Sequence, residues 1–103
     1  MGQSPFDVLL VTSAIADLRS VPVHARRRIV DAVNEQLSAA PQVQTRNRKP
    51  LPGLAPNWEH CPPVWELRVG DYRVFYDVDE VEQSVVVRAV RLKRSGTTTE
   101  DIV

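Results

Sequence analysis

The chain has 103 residues, 43% of them hydrophobic and 25% charged, with thirteen basic and thirteen acidic side chains that cancel. That length accommodates one hydrophobic core, so residues 1–103 read as a single domain, and the balanced charge excludes nucleic-acid binding driven by bulk positive charge. A lone cysteine, Cys61, excludes an internal disulfide framework and fits a reducing compartment.

In chain order, "FDVLLV" (6–11) is an apolar, β-prone run and is expected to form a first strand. Its apolar core is too short for a signal-peptide core or a membrane span, so the expectation is a cytoplasmic protein with no membrane association. "TSAIADLRSV" follows as a short helix, with Ser13 as its N-cap and Ile15 and Leu18 on one face. Pro22 opens a second helix, in which Ile29, Val33 and Leu37 recur every four residues and Val30 widens the stripe. Within it "HARRR" (24–28) spreads three arginines around the circumference and is read as a solvated face.

Pro41 ends that helix. Residues 41–63 hold six of the eight prolines and are expected to be an irregular connection. Loops of that length in compact domains commonly serve function. The loop carries "RNRK" (46–49), whose Arg48 and Lys49 are candidates for contacting phosphates. It also carries "EHCPP", with His60 beside Cys61. A zinc site needs more ligands than these supply, and adjacent residues in a proline-bounded loop seldom face each other as a nucleophile and base, so no metal is expected. Trp58 reads as an anchor of the loop against the core.

Three antiparallel strands are expected next, beginning with "VWELRVGDYRVFYDVD" (64–79) folded at Gly70-Asp71. A two-residue turn there pairs Val69 with Tyr72, Leu67 with Val74 and Trp65 with Tyr76, an apolar set that faces the helices. The other face then sets Arg68 against Arg73, with Glu66 opposite Phe75 and Val64 opposite Asp77. On the third strand, "SVVVRAVRL" (84–92), Val85, Val87 and Ala89 extend the core face and Arg88 joins the arginine pair. Like charges directly opposite on a sheet destabilise it by up to about 1 kcal/mol. Either an anionic partner or a local network with Glu66 and Asp71 offsets that cost. The distribution of charge supports a local basic face: residues 41–76 carry Arg46, Arg48, Lys49, Arg68 and Arg73 against Glu59, Glu66 and Asp71. The order β-α-α-β-β-β gives an α+β domain with two helices on one face of the sheet.

The tract "LRVGDYRVFYDVD" followed by "VVVRAVRLKR", with "TRNRKPL" before it, resembles the RelE/ParE superfamily of toxins from bacterial type II toxin–antitoxin pairs. The resemblance implies a β-α-α-β-β-β domain that a cognate antitoxin blocks with an acidic segment. It also implies, for the ribosome-dependent members, cleavage of mRNA without a metal or other cofactor, by activation of a ribose 2′-OH against the adjacent phosphate. A ParE-like branch instead inhibits DNA gyrase without the nuclease residues. By position, Arg73 matches the arginine on the scissile phosphate, Arg68 a basic residue of the preceding strand, and Arg94 or Lys93 a basic residue after the last strand. Glu66 stands where some members have lysine and is the candidate general base. Active RNases of the family usually carry a tyrosine or histidine in the tail, whereas "SGTTTEDIV" has neither, which favours a toxin that only binds its partner.

Overall fold

A computed structural model describes residues 5–103, so the first four residues of the expected domain lie outside the described residues. The chain runs β1 (Asp7–Leu10), α1 (Thr12–Arg19), α2 (Val23–Ala32), a π-helical turn (Val33–Leu37), β2 (Arg48–Leu51), β3 (Val64–Val69), β4 (Tyr72–Asp79), β5 (Ser84–Leu92) and α3 (Thr99–Ile102). The sheet order is β1-β5-β4-β3-β2, with β1 parallel to β5 and every other pair antiparallel. None of these helices is long and apolar enough to cross a membrane.

Ala14 and Leu18, one helical turn apart, bury the inner face of α1. Ser13 lies inside the first turn; the N-cap is Val11, which offers no side-chain bond. The other end of α1 is held by its neighbour. Arg26 of α2 donates from Nε to the Leu18 carbonyl and from Nη2 to the Arg19 and Val21 carbonyls, each at 3.0 Å. The Leu18 carbonyl also accepts from the Val21 amide at 3.1 Å, so one member of "HARRR" adds side-chain donors around the C-terminal end of α1. Ile29, Val33 and Leu37 are buried as the spacing predicts, whereas Val30 remains 40% exposed.

The expected irregular connection contains a strand. β2 pairs with β3 in the register Arg48↔Leu67 to Leu51↔Val64. Its outer edge is closed locally: the Arg48 amide donates to Thr45 Oγ1, the Thr45 amide donates to the Arg48 carbonyl, and Pro50 has no amide to offer.

The hairpin register is as expected from Val69↔Tyr72 to Trp65↔Tyr76, with Arg68 opposite Arg73. Gly70 takes φ 57° in the turn, a conformation that favours glycine. Trp65, Leu67, Val74, Tyr76, Val85, Val87 and Val90 face the helices and meet Leu18, Ile29, Val33 and Leu37. The third strand departs from the simple alternation. Tyr76 pairs with Val87 but Phe75 pairs with Ala89, so Arg88 is an extra, bulged residue. Beyond it the parity reverses: Val90 takes the core position expected for Ala89, and Ala89 turns to the opposite face.

That opposite face is itself partly covered. Val64, Phe75 and Ala89 form a second buried cluster under Leu51, Leu54, Trp58, Ile102 and Val103. Trp58 therefore anchors its loop, 6.2 Å from Phe75 between ring centroids. The tail, which lacks periodicity, ends in α3 through a capping box: Thr98 Oγ1 accepts from the Asp101 amide, and the Asp101 carboxylate accepts from the Thr98 amide.

Candidate anion-binding site

Two-residue alternation and the bulge together set three arginines abreast. Arg68 on β3 faces Arg73 on β4, and Arg73 faces Arg91 on β5. Neighbouring strands lie about 4.8 Å apart, so the row is roughly 10 Å long. Arg91 was not among the expected site residues. Only the bulge at Arg88 brings it into the row, and no sequence signal marks that bulge.

The members differ in their ties. Arg73 is 8% exposed and donates from Nη1 to the Gly70 and Tyr72 carbonyls at 2.9 Å, bracing the hairpin turn. Arg91 pairs through Nη1 with Asp17 of α1 at 2.5 Å. The same Asp17 carboxylate accepts from the Val90 amide, closing the part of β5's edge that lies beyond β1. Arg68 is exposed, and its side chain has no hydrogen-bond or ion-pair partner among the described residues. Of the three guanidiniums only that of Arg91 is paired with a carboxylate among the described residues, and the row keeps a net positive charge.

Arg88, expected in this group, lies elsewhere. Its Nε is 2.9 Å from Asp77 Oδ2, and Asp77 is 2% exposed and also accepts from the Cys61 amide at 3.0 Å. Burial alone lowers the Arg88 pKa, but the Asp77 hydrogen bond and charge, with smaller contributions from Cys61 and Glu59, outweigh it and raise the value. Arg88 is the counter-ion of a buried carboxylate, a structural role. Arg48 is also inward: 8% exposed, it donates from Nε to the Val43 carbonyl and from Nη1 to the Gln36 carbonyl, both at 3.1 Å. It ties the π-helical turn to the loop and does not present its charge to solvent.

Glu66, the expected general base, is 5% exposed. Lys49 Nζ lies 3.8 Å from its Oε1, and the Thr99 hydroxyl donates to its Oε2 at 3.0 Å. α3 thus covers the carboxylate while Lys49 stands exposed beside it. Arg94 is exposed and Lys93 half-buried just past β5, where the Lys93 amide donates to the Asp71 carbonyl at 2.7 Å. His60 bonds the Trp58 carbonyl through Nδ1 at 2.9 Å and lies edge-on to that ring, within the loop that covers the Phe75 cluster. Among the described residues no group of three or more His, Cys, Asp or Glu side chains converges.

A family model described as the ParE toxin of the type II toxin–antitoxin system parDE matches residues 8–95, which include the whole row. The chain belongs to the RelE/ParE superfamily of toxins. The toxin is similar to the RelBE2 toxin–antitoxin complex of Mycobacterium tuberculosis, at 26% identity and a TM-score of 0.70, with 89% of this chain and 95% of that chain covered. It shares its fold with the archaeal RelE–RelB complex of Pyrococcus horikoshii, at 20% identity and a TM-score of 0.69 over 89% and 98% of the two chains. The E. coli toxin RelE in the free state also shares it, at 21% identity and a TM-score of 0.64 over 92% and 88%. Among curated proteins, sequence comparison finds no match. These likenesses agree with the α+β order read from the sequence, to which the toxin adds β2 and α3.

Proposed function

We propose that this toxin is a ribosome-dependent, metal-independent endoribonuclease that cleaves mRNA in the cytoplasm and is neutralised by a cognate antitoxin. The observation that carries the reading is the row Arg68–Arg73–Arg91, three cations abreast with a single carboxylate among them. Like charges held side by side by strand pairing are unfavourable alone and become favourable around a phosphate. Support for an antitoxin partner comes from the solved relatives that are toxin–antitoxin complexes.

In this reading a ribose 2′-oxygen attacks the adjacent phosphorus as its proton leaves, and the P–O5′ bond breaks as the 5′-oxygen takes a proton. Charge builds on the phosphorane oxygens, and preorganised guanidiniums stabilise it without having to reorient. Glu66 lies two residues from Arg68 on the same face and is the proton acceptor. It acts once Thr99 is displaced, because the hydroxyl of Thr99 occupies Oε2. Lys49 and Arg94 flank the path of the RNA.

The cover on Glu66, together with the lack of a tail aromatic or histidine, favours a second reading: a toxin that binds without cleaving, such as a DNA gyrase inhibitor. Induced expression without the antitoxin separates the two. Nuclease action produces new mRNA 5′ ends on ribosomes that vanish with Arg68→Ala, whereas intact mRNA with lost gyrase supercoiling activity overturns the nuclease proposal.

A further inference from the structure

Sequence periodicity passes over Arg91, and its neighbour Asp17 lies in a helix with no evident link to the site. The register nevertheless puts Arg91 directly opposite Arg73, which is itself opposite Arg68. Residues directly opposite in antiparallel strands project to the same face, so Arg91 shares the face of Arg68 and Arg73. Its side chain has a defined anchor at the sheet edge: Asp17 Oδ2 receives both Arg91 Nη1 and the Val90 amide. Only Nη1 is engaged, by Asp17 and at 3.3 Å by the Val90 carbonyl, and the side chain remains 32% exposed. The remaining guanidinium nitrogens have no partner among the described residues.

We propose that Arg91 is a third phosphate-contacting residue, so that the row grips successive phosphates of a single-stranded RNA rather than the scissile phosphate alone. The inference rests on reading the arginine row as an RNA site. Two observations favour a polyanion over an amphipathic peptide. The apolar part of this face, Val64, Phe75 and Ala89, is already covered by α3 and the proline-rich loop, leaving the exposed Arg68 and the partly exposed Arg91, on either side of the buried Arg73, as its accessible cationic part. The row is roughly 10 Å long, wider than one phosphate group needs, and its planar guanidiniums suit bidentate binding of phosphate oxygens.

The test is equilibrium binding of a short, labelled single-stranded RNA with 2′-O-methyl sugars, which cannot be cleaved, between about 50 and 200 mM salt. For the toxin, log affinity falls linearly with log salt. Arg91→Gln is expected to weaken binding and to make the slope shallower by about 0.7, the value for one phosphate contact on a single strand. Arg91→Lys, which retains the charge, restores the slope. Arg27→Gln removes an equal charge from the exposed outer side of α2 and leaves the slope unchanged. If Arg91 serves only to hold Asp17, Arg91→Gln lowers the melting temperature while the slope stays at the wild-type value, and the inference is overturned. Absence of salt-dependent RNA binding by the unmodified toxin overturns it as well. Because this RNA cannot be cut, a toxin that binds but never cleaves still shows the slope change. Failure of the nuclease reading therefore remains distinguishable from failure of this one.

Discussion

Arg88 lies 2.9 Å from Asp77, a carboxylate only 2% exposed, while Arg68 projects into solvent with no described partner. Truncating Arg88 to alanine leaves a buried charge without compensation, so the expected loss is about 3 kcal/mol in urea-unfolding stability. Arg68→Ala is expected to change stability by no more than about 0.5 kcal/mol, since it breaks no described contact, and to abolish toxicity on induced expression. A reversed ranking in those two measurements contradicts the division between a structural and a functional arginine. Tyr76 makes a different residue-scale point. Its hydroxyl donates to the Pro41 carbonyl at 2.6 Å, and burial pushes its pKa above the ordinary 10.0. The folded state therefore holds the neutral phenol. Its contribution is fully present below pH 10.0 and erodes above it, as the unfolded chain ionises first and is favoured. Tyr76→Phe is expected to cost about 1 kcal/mol at neutral pH and to show a smaller alkaline loss of stability than the wild type.

At the level of elements, α3 is held by a capping box and by Ile102 and Val103 on the Val64–Phe75–Ala89 cluster. Ending the chain after Thr97 removes Ile102 and Val103 from that cluster and Thr99 from Glu66, leaving Leu51, Leu54 and Trp58 as the cluster's cover. The expected result is a toxin that still folds on its helix-face core but melts roughly 5 °C or more lower in a calorimetric scan. An unchanged melting temperature shows that the tail does not pack as described. The strengths and gaps of the sequence reading also lie at this scale. The β3–β4 register is legible because Gly70-Asp71 fixes the turn length and strict alternation fixes the faces. β2 is concealed because "RKPL" lies among prolines, and a proline in a four-residue run reads as a break although it is tolerated on an edge strand. α3 carries a legible signal in Thr98 and Asp101, a capping pair three residues apart, but it is too short to show periodicity. The bulge at Arg88 has no local signature. Arg88 keeps the face that alternation gives it, beside Asp77, but period-2 counting past that point misassigns Ala89, Val90 and Arg91.

For the whole molecule, formal neutrality conceals an arrangement in which the charges of the site are sorted by burial. Glu66, Asp77 and Arg48 are turned inward and satisfied, while Arg68, Lys49 and Arg94 remain in solvent and Arg91 is partly exposed. Both layers of the fold contribute to the site: the sheet sets the row, and Asp17 from α1 anchors its end. Superfamily membership establishes a toxin, and the geometry of the row supports the proposal that it engages an anion, with RNA as the proposed one. The decisive experiment is single-turnover cleavage of mRNA on programmed ribosomes by purified toxin released from its antitoxin, with Arg68→Ala alongside. Defined cuts by the toxin, slowed about a hundredfold or more in the variant, are the predicted result. Intact mRNA with the wild-type toxin, or equal rates for the two proteins, contradicts it.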